Sequence, residues 1–250
     1  MSDTNTTTWD LTARVAMVTG ASRGIGEACV EALVRAGARV IAVARTRKAL
    51  EDLADKLGPS VEIWPQDIHK SEFRARLEKL EQLDILVNNA GTNTPQPFLH
   101  VQEDDLDDMI ALNVRAVFLT AQSAARVMLR AGNGGSIINM SSQMGHIGAR
   151  NRVPYCMTKH AVEGLTKALG VELAPQGIRV NSVAPTFIDT PMTAPMFENA
   201  EFKQWALEGI PMGRIGQLRE VVAAVMFLAS PDSSLMTGSC LKVDGGWTAR

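Results

Sequence analysis

The stretch Arg14-Val-Ala-Met-Val-Thr-Gly-Ala-Ser-Arg-Gly-Ile-Gly26 decides the fold. Its first six residues read as a buried strand. Glycines follow at positions 20, 24 and 26, and apolar residues then recur at helical spacing over 25–36. Glycines at those three places permit a tight turn and let the backbone approach a ligand closely. The free N–H groups at the start of the helix face the same point, so the loop suits a pyrophosphate. Gly20, Ser22, Arg23, Gly24, Ile25 and Gly26 are the residues that would hold it. Strand, glycine loop and helix in this order open a βαβ unit, and that context gives the glycine triplet its meaning.

Working outward, short β-rich runs at 15–19, 39–44, 61–64, 85–88, 136–140, 178–183 and 240–243 alternate with helical patterns. The helices are expected at 25–36, 47–57, 71–80, 104–130, 153–173 and 218–229. The alternation predicts an α/β fold: a Rossmann-type, doubly wound, parallel seven-stranded sheet with helices on both faces. With 250 residues, 46% of them apolar, one core is affordable, so 11–250 is expected to form a single NAD(P)-binding domain behind a polar tail at 1–10. One stretch breaks the pattern. Residues 186–216 insert Pro191, Pro195 and Pro211 among Met192, Met196, Phe197, Phe202 and Trp205, which reads as a long, irregular, apolar substrate lid.

Composition excludes several classes of partner. The formal net charge is −2, from 25 basic and 27 acidic residues without a block of either sign, which argues against nucleic acid and membrane surfaces and for a small-molecule substrate. Cys29, Cys156 and Cys240 lie far apart, so no metal-ligand spacing arises between neighbours and no metal is expected. The thiols suit a reducing compartment. With no signal pattern and no apolar run long enough to cross a bilayer, a cytoplasmic location is expected.

The end of the second strand bears on which dinucleotide binds. An acidic residue there would hydrogen-bond the ribose 2′-hydroxyl of NAD and repel a 2′-phosphate. The sequence instead reads Ala44, Arg45, Thr46, Arg47, with Arg23 in the glycine loop, and converging guanidiniums suit a phosphate dianion. NADP(H) is therefore favoured over NAD(H).

Tyr155 is the only tyrosine, and Lys159 follows four residues later, on the same face of a helix. A nearby ammonium stabilises phenolate, so the pair can serve as a general acid/base. With Thr19-Gly-Ala-Ser-Arg-Gly-Ile-Gly26, Asn88-Asn-Ala-Gly91, Asn113, Ser142, Tyr155-Cys-Met-Thr-Lys159 and Asn181-Ser-Val-Ala-Pro185, the chain resembles the short-chain dehydrogenase/reductase family over nearly its whole length. The resemblance implies that Tyr155 exchanges the proton with the substrate oxygen. It implies that Lys159 holds the nicotinamide ribose and lowers the tyrosine pKa, that Ser142 bonds the substrate carbonyl, and that Asn113 binds a relay water. Asn89, Ala90 and Gly91 would pass under the adenosine side of the cofactor, and Asp67 and Ile68 would flank the adenine. Pro185, Ile188 and Thr190 would position the carboxamide. Many relatives carry glycine after the strand-six proline, whereas here Thr186 and Phe187 follow Pro185, and a side chain there would intrude on the nicotinamide or substrate pocket.

The segment between Ser142 and Tyr155 should wall the substrate side. Gln143 and His146 fall in it, and Arg150 and Arg152 could meet an acidic substrate group, a solvated helix start or a second subunit. His146 is expected to have no metal-ligand partner nearby and to be a pocket or core residue. The first functional expectation is an NADPH-linked reductase of a small ketone or 3-oxoacyl group, similar to the 3-oxoacyl-(acyl-carrier-protein) reductase branch. The alternative is a sugar, polyol or sugar-acid dehydrogenase, and a remote one is a silent nucleotide-sensing module. Resemblance also implies a homotetramer, with 218–229 and 240–243 apolar enough to meet a partner.

Overall fold

A computed structural model describes residues 9–191 and 193–249; most of the expected polar tail, together with Met192 and Arg250, lies outside the described residues. Seven strands, β1 (Val15–Thr19), β2 (Arg39–Ala44), β3 (Val61–Pro65), β4 (Ile85–Asn88), β5 (Gly135–Met140), β6 (Ile178–Pro185) and β7 (Cys240–Val243), form one parallel sheet in the order β3-β2-β1-β4-β5-β6-β7. β1, the third strand in that order, pairs Val15 with Arg39 of β2 on one side and Ala16 with Ile85 of β4 on the other. The strand order reverses there, and a crevice opens beyond the strand ends, where open α/β sheets bind ligands.

Strands at the centre are apolar on both faces because both are covered. On one face α1 (Gly24–Arg35) and α9 (Leu218–Ala229) pack against Val18, Val40 and Val183. On the other, α3 (Ser71–Leu77), α5 (Val117–Ala131) and α6 (Val153–Glu172) enclose Met17, Ile41, Leu86 and Ile137. α2 (Arg47–Leu57) joins β2 to β3. All seven strands and six helical stretches lie where the sequence pattern puts them, within a few residues at their ends.

Two departures have physical causes. The helix expected over 104–130 is α4 (Glu103–Ile110), a π-helical segment at Ala111–Ala116 and then α5. The wide turn falls on Asn113, and such bulges recur where a side chain is re-aimed. The insertion at 186–216 is also less irregular than its prolines suggest. It holds α7 (Ala194–Phe197) and α8 (Ala200–Gly209), with Asn199 capping α8 through a 2.9 Å bond from Phe202 N. Pro195 sits in the first turn of α7, and Pro211 lies beyond α8, positions that do not break a helix. Phe187, Phe197, Phe202, Trp205 and Trp247 tie the insertion down, with Phe187 at the centre and ring centroids 5.4 to 6.1 Å from it.

Candidate active site

Two adjoining cavities occupy the crevice. The larger, of about 460 Å³, runs from the glycine loop across the ends of β2 and β3. Gly20 and Gly24 both have positive φ, +68° and +61°, and a Cβ on Gly20 would stand 2.9 Å from Ala90 Cα. At Gly26 the requirement is steric, since a Cβ there would lie 2.2 Å from Gly20 O. The loop is held from β4: Asn89 Nδ2 donates to Thr19 O at 3.0 Å and Gly20 O at 3.2 Å, while Thr19 Oγ1 accepts from Asn89 N and Ala90 N. Arg23, at the N-cap of α1, makes no side-chain bond to the helix, so the first-turn amides are left to a ligand. This backbone cradle, opened by its glycines and set on a helix N-terminus, fits a dinucleotide pyrophosphate.

Of the cofactor-binding positions expected from sequence, Gly20, Ser22, Arg23, Gly24, Ile25, Arg45, Asp67, Ile68, Asn89, Ala90, Gly91 and Thr190 line this cavity. Gly26 lies behind the loop instead, and Pro185 and Ile188 line the neighbouring cavity. Arg47 faces Glu51 at 3.8 Å and does not line the cavity. Among the wall residues that sequence reasoning missed are Thr46, Gln66, His69 and Leu112.

The second cavity, of about 150 Å³, shares Ile25, Asn89, Gly91 and Thr190 with the first. Ser142, Tyr155 and Lys159 meet there. Burial dominates the titration of the pair: it pushes Tyr155 up to about 12, against the pull of the Ser142 hydroxyl and the Arg152 charge, and Lys159 down to about 8, against Glu163. The lowering of the tyrosine by Lys159 that the resemblance implies is not what dominates here. Lys159 Nζ donates to Met140 O at 2.8 Å and lies 5.5 Å from the Tyr155 ring centroid. Asn113 spends its amide on structure: Thr92 N donates to its Oδ1, and its Nδ2 donates to Thr92 O and Thr158 Oγ1. It thereby ties the loop after β4 to α6.

Gln143, Thr186 and Phe187 line the second cavity; His146, Arg150 and Arg152 do not. Arg150 is exposed, and Arg152 is buried beside the cavity. His146 lies behind it with Nε2 3.3 Å from Cys240 Sγ and 3.5 Å from Glu163 Oε1. The expectation that His146 has no potential ligand nearby is therefore corrected: β7 and α6 bring a thiol and a carboxylate to it, all within 4.8 Å. Burial holds the Cys240 thiol up at about 11. Among the residues of the second cavity that sequence reasoning missed are Thr92, Asn93, Ser141 and Thr193, while Met196 was expected only as part of the lid. Asn93 follows the Asn88-Asn-Ala-Gly91 motif and Ser141 precedes Ser142, so proximity to a motif was the available signal.

A dinucleotide cradle opening onto a serine, a tyrosine and a lysine at the ends of a parallel sheet defines a nicotinamide-dependent oxidoreductase acting on CH–OH. A family profile described as Enoyl-(Acyl carrier protein) reductase matches residues 20–248, and the chain belongs to this family of short-chain dehydrogenases/reductases. It is 42% identical to the L-xylulose reductase of Bos taurus over 240 residues, 96% of this chain and 98% of that protein. It is 36% identical to a 3-oxoacyl-[acyl-carrier-protein] reductase of Vibrio cholerae over 95% of this chain and 98% of that one. Among solved structures, a gluconate 5-dehydrogenase from Burkholderia cenocepacia J2315, in complex with NADP and tartrate, superposes with a TM-score of 0.92 at 33% identity, covering 97% of this chain and 98% of that one. No helix among the described residues is long and apolar enough to cross a membrane.

Proposed function

We propose that the protein is an NADP(H)-dependent oxidoreductase that interconverts a small polyhydroxylated ketone and its alcohol. One observation carries the substrate class. Asn93 Oδ1, Ser141 Oγ, Gln143 Oε1 and Thr186 Oγ1 all belong to residues lining the 150 Å³ cavity, and each is buried without a hydrogen-bond partner in the protein. Buried polar atoms are normally paired, so four orphans around one small cavity suit a ligand rich in hydroxyls. An acyl chain would leave them unsatisfied. The bovine relative is named for a ketose, which agrees.

The chain's own residues then divide the work. Bound nicotinamide supplies or takes the hydride. Ser142 and Tyr155 orient the substrate oxygen between them, and Tyr155 passes the proton to it in the reducing direction. Lys159, fixed by Met140 O, presents an ammonium to the cofactor ribose, and Asn113 keeps that part of α6 in place. Arg23 and Arg45, both exposed on the cofactor cavity with no acidic residue at the end of β2, support NADP(H) over NAD(H). The 186–216 insertion, which contributes Phe187, Ile188, Thr190, Thr193 and Met196 to the second cavity, acts as a lid.

Self-association belongs to the same proposal. Among the described residues β7 ends the sheet with an unpaired edge, and Phe118, Met157 and Val171 on α5 and α6 are exposed, which supports a homotetramer. The three free cysteines suit the cytoplasm.

Steady-state rates with NADPH and NADH, against ketoses and 3-oxoacyl thioesters, test the reading. The expected order is ketose over thioester, with kcat/KM for NADPH about tenfold or more above NADH. Preference for the thioester would restore the 3-oxoacyl reading, to which the Vibrio relative points.

A further inference from the structure

Arg152 occupies the N-cap of α6, three residues before Tyr155, and is only 7% exposed. Its guanidinium is poorly provided for. Nη1 donates to Asn151 O at 3.2 Å, Nη2 reaches only Met196 Sδ at 4.0 Å, and Nε is buried with no partner. No carboxylate among the described residues pairs with it; the neighbours that act on its charge are Tyr155 and Cys156. Arg14, Arg76, Arg126 and Arg214 each meet an Asp or Glu. Arg179, comparably desolvated, donates to the carbonyls of Leu228, Ser230 and Met236 around the end of α9. A buried guanidinium with a single backbone carbonyl and no carboxylate among the described residues is costly to keep unless something else completes it.

The unsatisfied edge is a fork. Nε and Nη2 lie side by side on the planar group, and together they match the two oxygens of a carboxylate. Only the Met196 thioether stands against that edge, and Met196 itself lines the substrate cavity beside Ser142 and Tyr155. Methionine is unbranched and changes rotamer readily, so it can yield to a ligand without moving the backbone. The cavity is small, and one guanidinium carries a single charge, which suits a monoanion rather than a phosphate dianion.

We infer that the Nε–Nη2 edge of Arg152 is a carboxylate-recognition site, reached past Met196, and that the preferred substrate is a keto sugar acid or its aldonate-type alcohol. This rests on the polyhydroxylated-substrate reading and narrows it. Arg152 is then the specificity-determining residue that distinguishes acidic from neutral substrates of similar length.

The test compares kcat/KM for 5-ketogluconate with that for D-fructose, at saturating cofactor, in the wild-type enzyme and in Arg152→Gln, Arg152→Lys and Arg150→Gln. The wild type should favour the acid by about thirtyfold, chiefly through KM, as a buried charge-assisted fork implies. Arg152→Gln should abolish that ratio, Arg152→Lys should keep a small part of it, and Arg150→Gln should leave it in place. As a binding readout, gluconate should raise the Tm of the wild-type holoenzyme and not that of Arg152→Gln. A wild type that turns over ketoses without preferring the acid overturns this inference alone. Turnover of neither ketose nor keto acid overturns the polyhydroxylated reading with it. A stronger preference for fructose 6-phosphate than for the keto acid would overturn the carboxylate assignment.

Discussion

The two cavities are made of different materials. The cofactor cavity is walled at its pyrophosphate end by backbone: glycines at 20 and 24, the open first turn of α1, and the Asn89–Ala90 peptide held by Thr19. The substrate cavity is walled by side chains drawn from the ends of β5 and β6, the loop after β4, the start of α6 and the 186–216 insertion. Backbone amides recognise a feature common to every dinucleotide. Side chains recognise what distinguishes one ketone from another, so the first cavity suits any dinucleotide, while the second brings the serine, tyrosine and lysine together with the side chains that would select the substrate.

Substitutions can break that division of labour. Tyr155→Phe should lower kcat about a thousandfold, within the range of general acid catalysis, while the cofactor Kd from fluorescence titration changes by less than about threefold. A comparable loss of cofactor binding would show that the cavities are not separable. Gly26→Ala should weaken NADPH binding about a hundredfold or lower the Tm, because its Cβ would meet Gly20 O at 2.2 Å. Unchanged Kd and Tm together would remove the cradle argument. Arg45→Asp should shift the NADPH to NADH ratio of kcat/KM by about thirtyfold towards NADH while leaving the ranking of substrates as it was.

Proton chemistry sharpens the comparison further. Burial brings Lys159 down to about 8, so in the free enzyme its ammonium is intact below that pH and lost above it. kcat/KM for ketone reduction should accordingly be level below pH 8 and fall about tenfold per unit above it. Lys159→Arg should move that limb to higher pH; a limb that stays in place would assign it to another group. The smallest effect is expected at Thr186→Val, which keeps the shape and deletes one orphan hydroxyl. KM for a ketose should rise about fivefold, and KM for a ketone without hydroxyls should not.

The same contrast explains what was legible in the sequence. Gly20 and Gly24 act through local chain geometry, so their spacing after β1 places them on the cofactor cavity, and the family resemblance carries Asn89 and Gly91 there. Tyr155 and Lys159 share a helical face, and four residues suffice to pair them. Asn93, Ser141, Thr193 and Met196 carry no local pattern; they meet because the insertion folds back over β5 and α6. That return depends on Asn199 capping α8 and on the ring cluster around Phe187, which outweigh the prolines that suggested an irregular segment. His146 is similar: its neighbours Glu163 and Cys240 come from α6 and β7, and nothing near position 146 announces them. Arg152 was legible as a cation beside the catalytic helix. Its missing counter-charge was not, since that is a property of the packed core.

The most direct test of the central claim is kcat/KM, with NADPH, for erythrulose against 2-butanone, which share a four-carbon ketone skeleton and differ in hydroxyl groups. The orphan polar atoms of Asn93, Ser141, Gln143 and Thr186 predict a preference for erythrulose of about a hundredfold or more. Equal values for the two would contradict the account, leaving the nicotinamide chemistry in place and the polyhydroxylated substrate without support.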